Sequence, residues 1–126
     1  MTWVKDMMQK KVITIPQDMG VIQICKLLHK RGVSGFPVVN KNEDIVGFIS
    51  ERDIIIAVPK PRFMKLSAKN LMNKKVKTIA PEEPISNAFK IFSKVNYRHL
   101  PVVRGKKIVG VISRKEVIEH ILSGYY

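Results

Sequence analysis

The chain has 126 residues, 45% of them hydrophobic, and carries 23 lysines and arginines against 10 acidic residues, a formal charge of +13. A chain of this length suits one compact domain, which buries roughly two thirds of its unfolded surface. No apolar run approaches the ~18 residues of a membrane span, and the N-terminus does not resemble a signal peptide, so we expect a soluble, cytoplasmic protein. The positive charge predicts an anionic partner.

The first half of the chain reads as a short β-branched run, VITI, followed by a helix over about 19–31. Val21, Ile24 and Leu28 recur at helical spacing, and Cys25 lies on the same face. We therefore interpret Cys25 as a small core residue and not as a nucleophile. A hairpin is predicted over about 36–49 and a closing helix over about 51–58.

The second half repeats the first. One fixed shift superposes the PVV at 37–39 on the PVV at 101–103, and a shift one residue shorter superposes Gly47 on Gly110. The lost residue falls in the hairpin turn, where NKNED becomes RGKK, and such self-similarity marks a duplicated unit. The counterparts are a helix over about 84–95, a hairpin over about 100–112 and a closing helix over about 114–123.

This order predicts an α/β (α+β) fold of two β-α-β-β-α repeats, residues 1–60 and 61–126, packed with pseudo-twofold symmetry. Three successive isoleucines, residues 54–56, cannot share one helical stripe, so we expect the first closing helix to be buried on more than one side. One side would cover its own sheet. The other would meet the apolar residues of the matching helix, which are Val117, Ile118, Ile121 and Leu122.

Each closing helix begins with a serine followed three residues later by an acid, Ser50 with Asp53 and Ser113 with Glu116. This spacing is typical of a capping box, in which the two side chains satisfy the first backbone groups of the helix. The same geometry exposes a helix N-terminus to an anion and offers a carboxylate to the hydroxyls of a ribose. The spacing alone leaves both interpretations open.

Several ordered features together resemble a tandem pair of cystathionine-β-synthase (CBS) domains, often called a Bateman module. The resemblance rests on Gly35-Phe36-Pro37-Val38-Val39, Gly47 and the spacing from Ser50 to Asp53, and it covers nearly the whole chain. Such modules bind adenine nucleotides or S-adenosyl compounds in clefts between the repeats and report occupancy to a partner. The resemblance therefore implies a regulatory protein, with AMP, ADP, ATP or an S-adenosyl compound as its ligand.

The family motif ends in an aspartate that holds the ribose hydroxyls, which implies this role for Asp53. The resemblance adds Thr78 and Ile79 near the base and the stretch YRHLP at 97–101 near the phosphate. Family members with a His-Arg-Leu-Pro motif there use both basic residues on phosphate. The order is reversed in this chain, so it stays open whether Arg98 or His99 points inward.

Lys115 matches a further phosphate-contacting lysine. In the second copy of the motif Glu116 replaces aspartate, and its extra methylene would occupy the space of a ribose. We therefore expect that cleft to be weaker, altered or empty. Its residues would be Thr14, Ser34, Gly35, Arg52, Ser113 and Glu116.

Other classes of function are less well supported by the residues. His29 and His120 have no second metal ligand at useful spacing, so we expect no metal. No nucleophile has an evident base and orienting group, so we expect no enzyme and no required cofactor. A nucleic-acid-binding protein and a structural dimerisation module with vestigial clefts remain as alternatives. We also expect a homodimer and a protein partner that the sequence does not identify.

Overall fold

The structure, a computed structural model, describes residues 1–94 and 98–125. Val95, where the predicted second helix ends, and Tyr97, the first residue of YRHLP, lie outside the described residues. The chain forms two compact units: a central unit, Ile13–Val76, and a terminal unit that joins Met1–Val12 to Lys77–Tyr126. The elements in chain order are α1 (Val4–Met7), β1 (Ile15–Pro16), α2 (Val21–Arg31), β2 (Gly35–Val39), β3 (Ile45–Ser50), α3 (Glu51–Ala57), a 3₁₀ turn (Phe63–Lys65), α4 (Ala68–Leu71), α5 (Ile85–Lys94), β4 (His99–Arg104), β5 (Lys107–Ser113), α6 (Arg114–His120) and a wide helical turn (Ile121–Tyr125).

The central unit is built on a three-stranded sheet in the order β1-β2-β3. β1 runs parallel to β2, with Ile15 opposite Val38, and β2 runs antiparallel to β3. Every residue of β2 is buried, as expected for the middle strand of a covered sheet. The core of this unit comprises Ile15, Val21, Ile24, Leu28, Phe36, Val38, Ile49, Ile54, Ala57, Ala68 and Leu71.

α2 shows why the local sequence folds as predicted. Its buried residues are the three that recur at helical spacing, beginning with Val21. The helix ends where Gly32 takes a left-handed φ of 63° and donates its N–H to the carbonyl of Leu28 at 2.9 Å. Cys25 is half-buried and packs against the core, which confirms its predicted packing role.

The terminal unit repeats this construction with a shorter first strand. β4 and β5 form an antiparallel pair, with Leu100 opposite Ile112. The first strand is reduced to one parallel bridge between Ile79 and Val102, which corresponds to the pairing of Ile15 with Val38. The core comprises Val4, Ile79, Ile85, Ala88, Leu100, Val102 and Ile112.

The first residues of each sequence repeat pack on the hairpin of the other repeat. The N–H of Gln9 donates to the carbonyl of Val111 at 2.9 Å, so residues 1–12 belong to the terminal unit. Residues 61–76 belong to the central unit, where Asn73 bridges Phe48. The predicted division after residue 60 describes where one sequence repeat ends and the next begins. The compact units have other bounds, because each contains the first residues of the other repeat.

Two glycines allow these segments to approach closely. A Cβ on Gly47 would collide with the side chain of Met72, and a Cβ on Gly110 would lie 2.5 Å from the sulfur of Met8. Both glycines belong to the repeated motif, and each faces a methionine of the segment that packs on its hairpin. Their small size is therefore a packing requirement of each unit.

The expectation that α3 is buried on more than one side is wrong in the single chain. Ile54 and Ala57 are buried, but Ile55 and Ile56 are 66% and 57% exposed. Residues three apart share one face of a helix, and a helix of seven residues has only one face on its own core. α6 passes directly into the wide helical turn, so residues 114–123 are helical as predicted, and Ile118 is exposed.

The α+β class is confirmed, and so is the predicted order β-α-β-β-α in the first repeat, while in the second repeat the first strand is reduced to the bridge at Ile79. The packing of the two repeats with pseudo-twofold symmetry stays a prediction. Within the described ranges, no helix has both the length and the apolar character needed to cross a bilayer.

Candidate functional site

The junction of β3 and α3 brings Ser50 and Asp53 together. Ser50 is extended, with φ of −116° and ψ of 165°, and the helix begins at the next residue. Asp53 Oδ2 accepts hydrogen bonds from the Ser50 backbone N–H at 2.8 Å and from its hydroxyl at 2.9 Å. The Asp53 N–H in turn donates to Ser50 Oγ at 3.3 Å. The capping interpretation of this motif is therefore confirmed.

Capping does not use the whole carboxylate. Oδ1 of Asp53 accepts no hydrogen bond from the residues that the structure describes, and the side chain is only half-buried. A carboxylate oxygen can accept two hydrogen bonds, so Oδ1 remains available to a ligand hydroxyl. The capping and the ligand-binding interpretations are thus compatible, with a different oxygen for each.

Ser34 and Gly35 lie beside this junction in the central unit. Gly35 is directly opposite Ser50 across β2 and β3, and the carbonyl of Ser34 accepts the N–H of Glu51 at 2.9 Å. Arg52 is exposed on the first turn of α3. Ser34, Gly35 and Arg52, which were predicted for the second cleft, are therefore neighbours of Ser50 and Asp53. Thr14 is half-buried and directly precedes β1.

The terminal unit holds the matching junction between β5 and α6. Glu116 Oε1 accepts the Ser113 N–H at 2.7 Å and its hydroxyl at 2.8 Å. Unlike Asp53, Glu116 is almost fully buried, with 4% of its surface exposed. The longer acid makes the same cap while almost all of its surface is buried. This burial is the main physical difference between the two copies of the motif.

His99 lies directly opposite Ser113 across β4 and β5, where the central unit has Gly35 opposite Ser50. Burial lowers the pKa of His99 from its ordinary value, the nearby Glu116 carboxylate partly opposes this shift, and Arg98 reinforces it. One copy of the motif therefore faces a glycine and the other faces an imidazole. This difference could have been read from the sequence, since Gly35 and His99 are equivalent positions in the two repeats.

The other predicted phosphate ligands occupy different settings in the terminal unit. Arg98 is exposed, directly before β4. The ammonium of Lys115 is exposed and lies 3.9 Å from Glu119, a spacing that gives a weak surface pair. Ile79 is buried and bonded to β4, with its N–H 3.1 Å from the carbonyl of Pro101, and Thr78 beside it is half-buried.

The structure thus brings the predicted residues together in two groups, one in each unit. Ser34, Gly35, Ser50, Arg52 and Asp53 gather at the start of α3, and Arg98, His99, Ser113, Lys115 and Glu116 gather near the start of α6. The predicted pairing of Asp53 with Thr78, Ile79, Arg98, His99 and Lys115 combines residues of both units and stays a prediction. The same holds for the pairing of Glu116 with Thr14, Ser34, Gly35 and Arg52.

A cavity of about 670 Å³ lies elsewhere in the terminal unit, lined by Met1, Thr2, Asp6, Pro84, Ile85, Ser86 and His120. None of these residues was predicted as a nucleotide ligand. His120 is buried there, and its ring centre is 5.7 Å from that of Phe89. In the part of the chain that the structure describes, no group of three or more potential metal ligands occurs.

A family model for the CBS domain matches this chain twice, at residues 4–60 and 68–123. The uncharacterized protein MJ1426 of Methanocaldococcus jannaschii is 29% identical, over 94% of this chain and 90% of that protein. Homoserine O-acetyltransferase of Methanococcoides burtonii is 33% identical over 92% of this chain. The chain spans only 23% of that enzyme.

Solved structures of CBS proteins share the fold. CBSX2, a CBS-pair protein of Arabidopsis thaliana solved in complex with AMP, matches with a TM-score of 0.89 and 22% identity, over 98% of both chains. The CBS domain pair of protein MJ0100, solved with 5′-methylthioadenosine and S-adenosyl-L-methionine, matches with a TM-score of 0.83 and 27% identity. That match covers 99% of this chain and 98% of the MJ0100 chain.

Proposed function

Because the chain belongs to the CBS domain family, we propose that it is a regulatory module that binds an adenine nucleotide or an S-adenosyl compound and signals its occupancy to a protein partner. The MJ0100 domain pair supports the ligand class, since it is 27% identical over nearly the full length and was solved with two adenosine derivatives. Ligand binding requires no resident cofactor and no catalytic step in this proposal.

The observation that carries the proposal is the geometry of Asp53. Its Oδ2 is committed to the cap of α3, while Oδ1 is open to a ligand at a half-buried helix N-terminus. A ribose offers two adjacent hydroxyl donors, which suit a carboxylate oxygen held at a fixed position. We assign Asp53 to the ribose and Ser50 to holding the carboxylate in place.

The other roles follow the family pattern. Thr78 and Ile79 would contact the base, and Arg98, His99 and Lys115 would contact the phosphate. Guanidinium, imidazolium and ammonium groups all donate charged hydrogen bonds to phosphate oxygens. These cations favour AMP, ADP or ATP over the positively charged sulfonium of S-adenosylmethionine. The residues Thr14, Ser34, Gly35, Arg52, Ser113 and Glu116 would form a second, weaker site.

We further propose a homodimer formed through the closing helices. Ile55 and Ile56 on α3 and Ile118 on α6 are exposed in the single chain, and Ile121 and Leu122 follow in the same state. Exposed apolar residues at successive helical positions are costly in water and mark interaction surfaces. A second copy of the chain would cover these side chains, which were expected to be buried within a single chain.

Isothermal titration calorimetry with AMP, ADP, ATP, S-adenosylmethionine and 5′-methylthioadenosine tests the ligand class, with Asp53→Asn as the matched variant. Micromolar binding of at least one ligand, lost in the variant, supports the proposal. Failure of all five ligands to bind folded protein would overturn it.

The net charge of +13 favours nucleic acid as a second candidate ligand. Its binding would fall steeply with salt and would not depend on Asp53. Titration with single-stranded and duplex DNA across salt concentrations therefore separates it from the nucleotide proposal.

A further inference from the structure

We infer that residues 58–65 of the central unit form a docking surface for an acidic segment of a partner protein. We call it the basic surface, and it consists of Val58, Lys60, Arg62, Met64 and Lys65. The inference does not depend on nucleotide binding, because none of these residues belongs to the proposed ligand site.

The basic surface combines unpaired cations with exposed apolar side chains. Lys60, Arg62 and Lys65 are exposed, and none of them pairs with a carboxylate among the described residues. Lys69, by contrast, lies 3.1 Å from Asp18. The sequence has no acid from Ile54 to Pro81, so nothing nearby along the chain neutralises the three cations. Val58 and Met64, in the same short segment, are 55% and 66% exposed.

The surface is fixed by its own backbone. The N–H of Lys60 donates to the carbonyl of Ala57 at 2.9 Å, and the N–H of Lys65 donates to that of Arg62 at 2.8 Å. Phe63 and Leu66 pack against the core of the central unit, which turns Met64 and Lys65 outward. A surface held in this way loses little conformational freedom when a partner binds.

Arg62 occupies a position that a glycine would fill with less strain. Its φ is 59°, in the left-handed region that a side chain with a Cβ disfavours. The turn thus fixes the backbone from which the Arg62 side chain projects.

Charge complementarity identifies the partner. Carboxylates match the three cations, and the two apolar side chains favour a polypeptide in which apolar residues alternate with the acids. Phosphate groups of a nucleic acid would match the cations but would leave Val58 and Met64 without apolar contacts. A second copy of this surface would bring like charges together, which disfavours self-association here.

The test uses a fluorescent peptide in which leucines are interspersed among glutamates, measured by anisotropy against the full chain. The surface variant carries Lys60→Glu, Arg62→Glu and Lys65→Glu. The control variant carries Lys10→Glu, Lys11→Glu and Lys41→Glu, three exposed cations outside the surface, so the net charge changes equally. We expect at least about a tenfold loss of affinity in the surface variant and less than about threefold in the control.

Two further arms identify the source of any binding. Val58→Ser with Met64→Ser should weaken the leucine-containing peptide and leave a polyglutamate peptide unchanged. Equal losses in the surface and control variants, or tight binding of single-stranded DNA without binding of the peptide, would overturn the inference. If the charge-reversed variant does not fold, the glutamine versions of both triples replace them.

AMP titration of the surface variant keeps this inference apart from the proposed function. The variant should bind AMP as the wild type does. Loss of peptide binding with AMP binding intact supports the basic surface, whereas failure of wild-type protein to bind AMP counts only against the nucleotide proposal.

Discussion

Asp53 contacts Ser50 through a single carboxylate oxygen, Oδ2, which lies 2.8 Å from the Ser50 nitrogen and 2.9 Å from its hydroxyl. The same chain has an uncharged version of this cap, in which Asn70 Oδ1 accepts the Ser67 N–H at 2.9 Å and its hydroxyl at 3.0 Å. An amide can therefore cap a helix in this fold. This equivalence makes it possible to separate capping from ligand binding at position 53.

We expect Asp53→Asn to keep the melting temperature close to that of the wild type and to weaken AMP binding by about one to two decades, because its NH₂ replaces the oxygen offered to the ribose. Asp53→Ala should weaken AMP binding by the same amount. It should also lower the free energy of unfolding by about 1 kcal/mol, because it removes the helix cap. Calorimetry and thermal unfolding measure the two effects. Full affinity in the asparagine variant would remove Asp53 from the ribose site.

Glu116→Asp should create or strengthen binding at a second site. An aspartate at this position would reproduce the Ser-to-Asp spacing of the first copy, in which Asp53 caps the helix through one carboxylate oxygen and leaves the other open. Calorimetric stoichiometry should therefore rise from one ligand per chain toward two. Two equal sites in wild-type protein would contradict the proposed inequality. Loss of the tight site in Glu116→Ala, with the site intact in Asp53→Ala, would show that the assignment is reversed.

The proposed phosphate contacts predict that adenosine binds more weakly than AMP by about one to three kcal/mol, the range expected for charged hydrogen bonds. Lys115→Met and Arg98→Met should each remove part of this difference, and Lys106→Met serves as a control on an exposed lysine outside the site. Raising the salt concentration should narrow the difference if solvent reaches the site. Equal affinities for adenosine and AMP would show that Arg98, His99 and Lys115 do not contact the phosphate.

His99 predicts opposite effects of pH on stability and on binding. Burial lowers its folded-state pKa, so the unfolded chain takes up the proton first as the pH falls. The stability contribution is thus complete above the unfolded pKa near 6.5 and decreases as the pH drops through it. A bound phosphate favours the charged imidazole, so affinity for AMP should rise over the same interval. His99→Gln should flatten both profiles, and unchanged profiles in that variant would assign the dependence to another group.

Ile56→Glu on α3 and Ile118→Glu on α6 should each shift the protein toward monomers in sedimentation velocity. Charge at the centre of an apolar interface typically costs more than tenfold in affinity. Met64→Glu introduces the same charge at an exposed methionine outside both helices and should leave the oligomeric state unchanged. Wild-type protein that sediments as a monomer at high micromolar concentration contradicts the proposed dimer.

The features that were predicted correctly from the sequence are those set by local residue patterns. The helical spacing of Val21, Ile24 and Leu28 located α2, and the two PVV runs located the middle strands, because these features depend on neighbours along the chain. The exposure of Ile55 and Ile56 was not predictable, since an apolar helix face does not show what covers it. The burial of Glu116 was missed for a similar reason, because the spacing of a capping box does not show how much of the acid the rest of the fold covers.

The pairing of Gln9 with Val111 bears on the order in which the chain acquires its structure during synthesis. The central unit is one continuous segment and can fold once residue 76 has left the ribosome. Residues 1–12 are made before the central unit, but the residues that they pair with, from Pro81 and Glu83 to Val111 in β5, are made only after it. Val4, which is completely buried in the finished fold, is therefore uncovered while the whole central unit is being made. We expect this N-terminal segment to be the part of the nascent chain most open to chaperones and proteases.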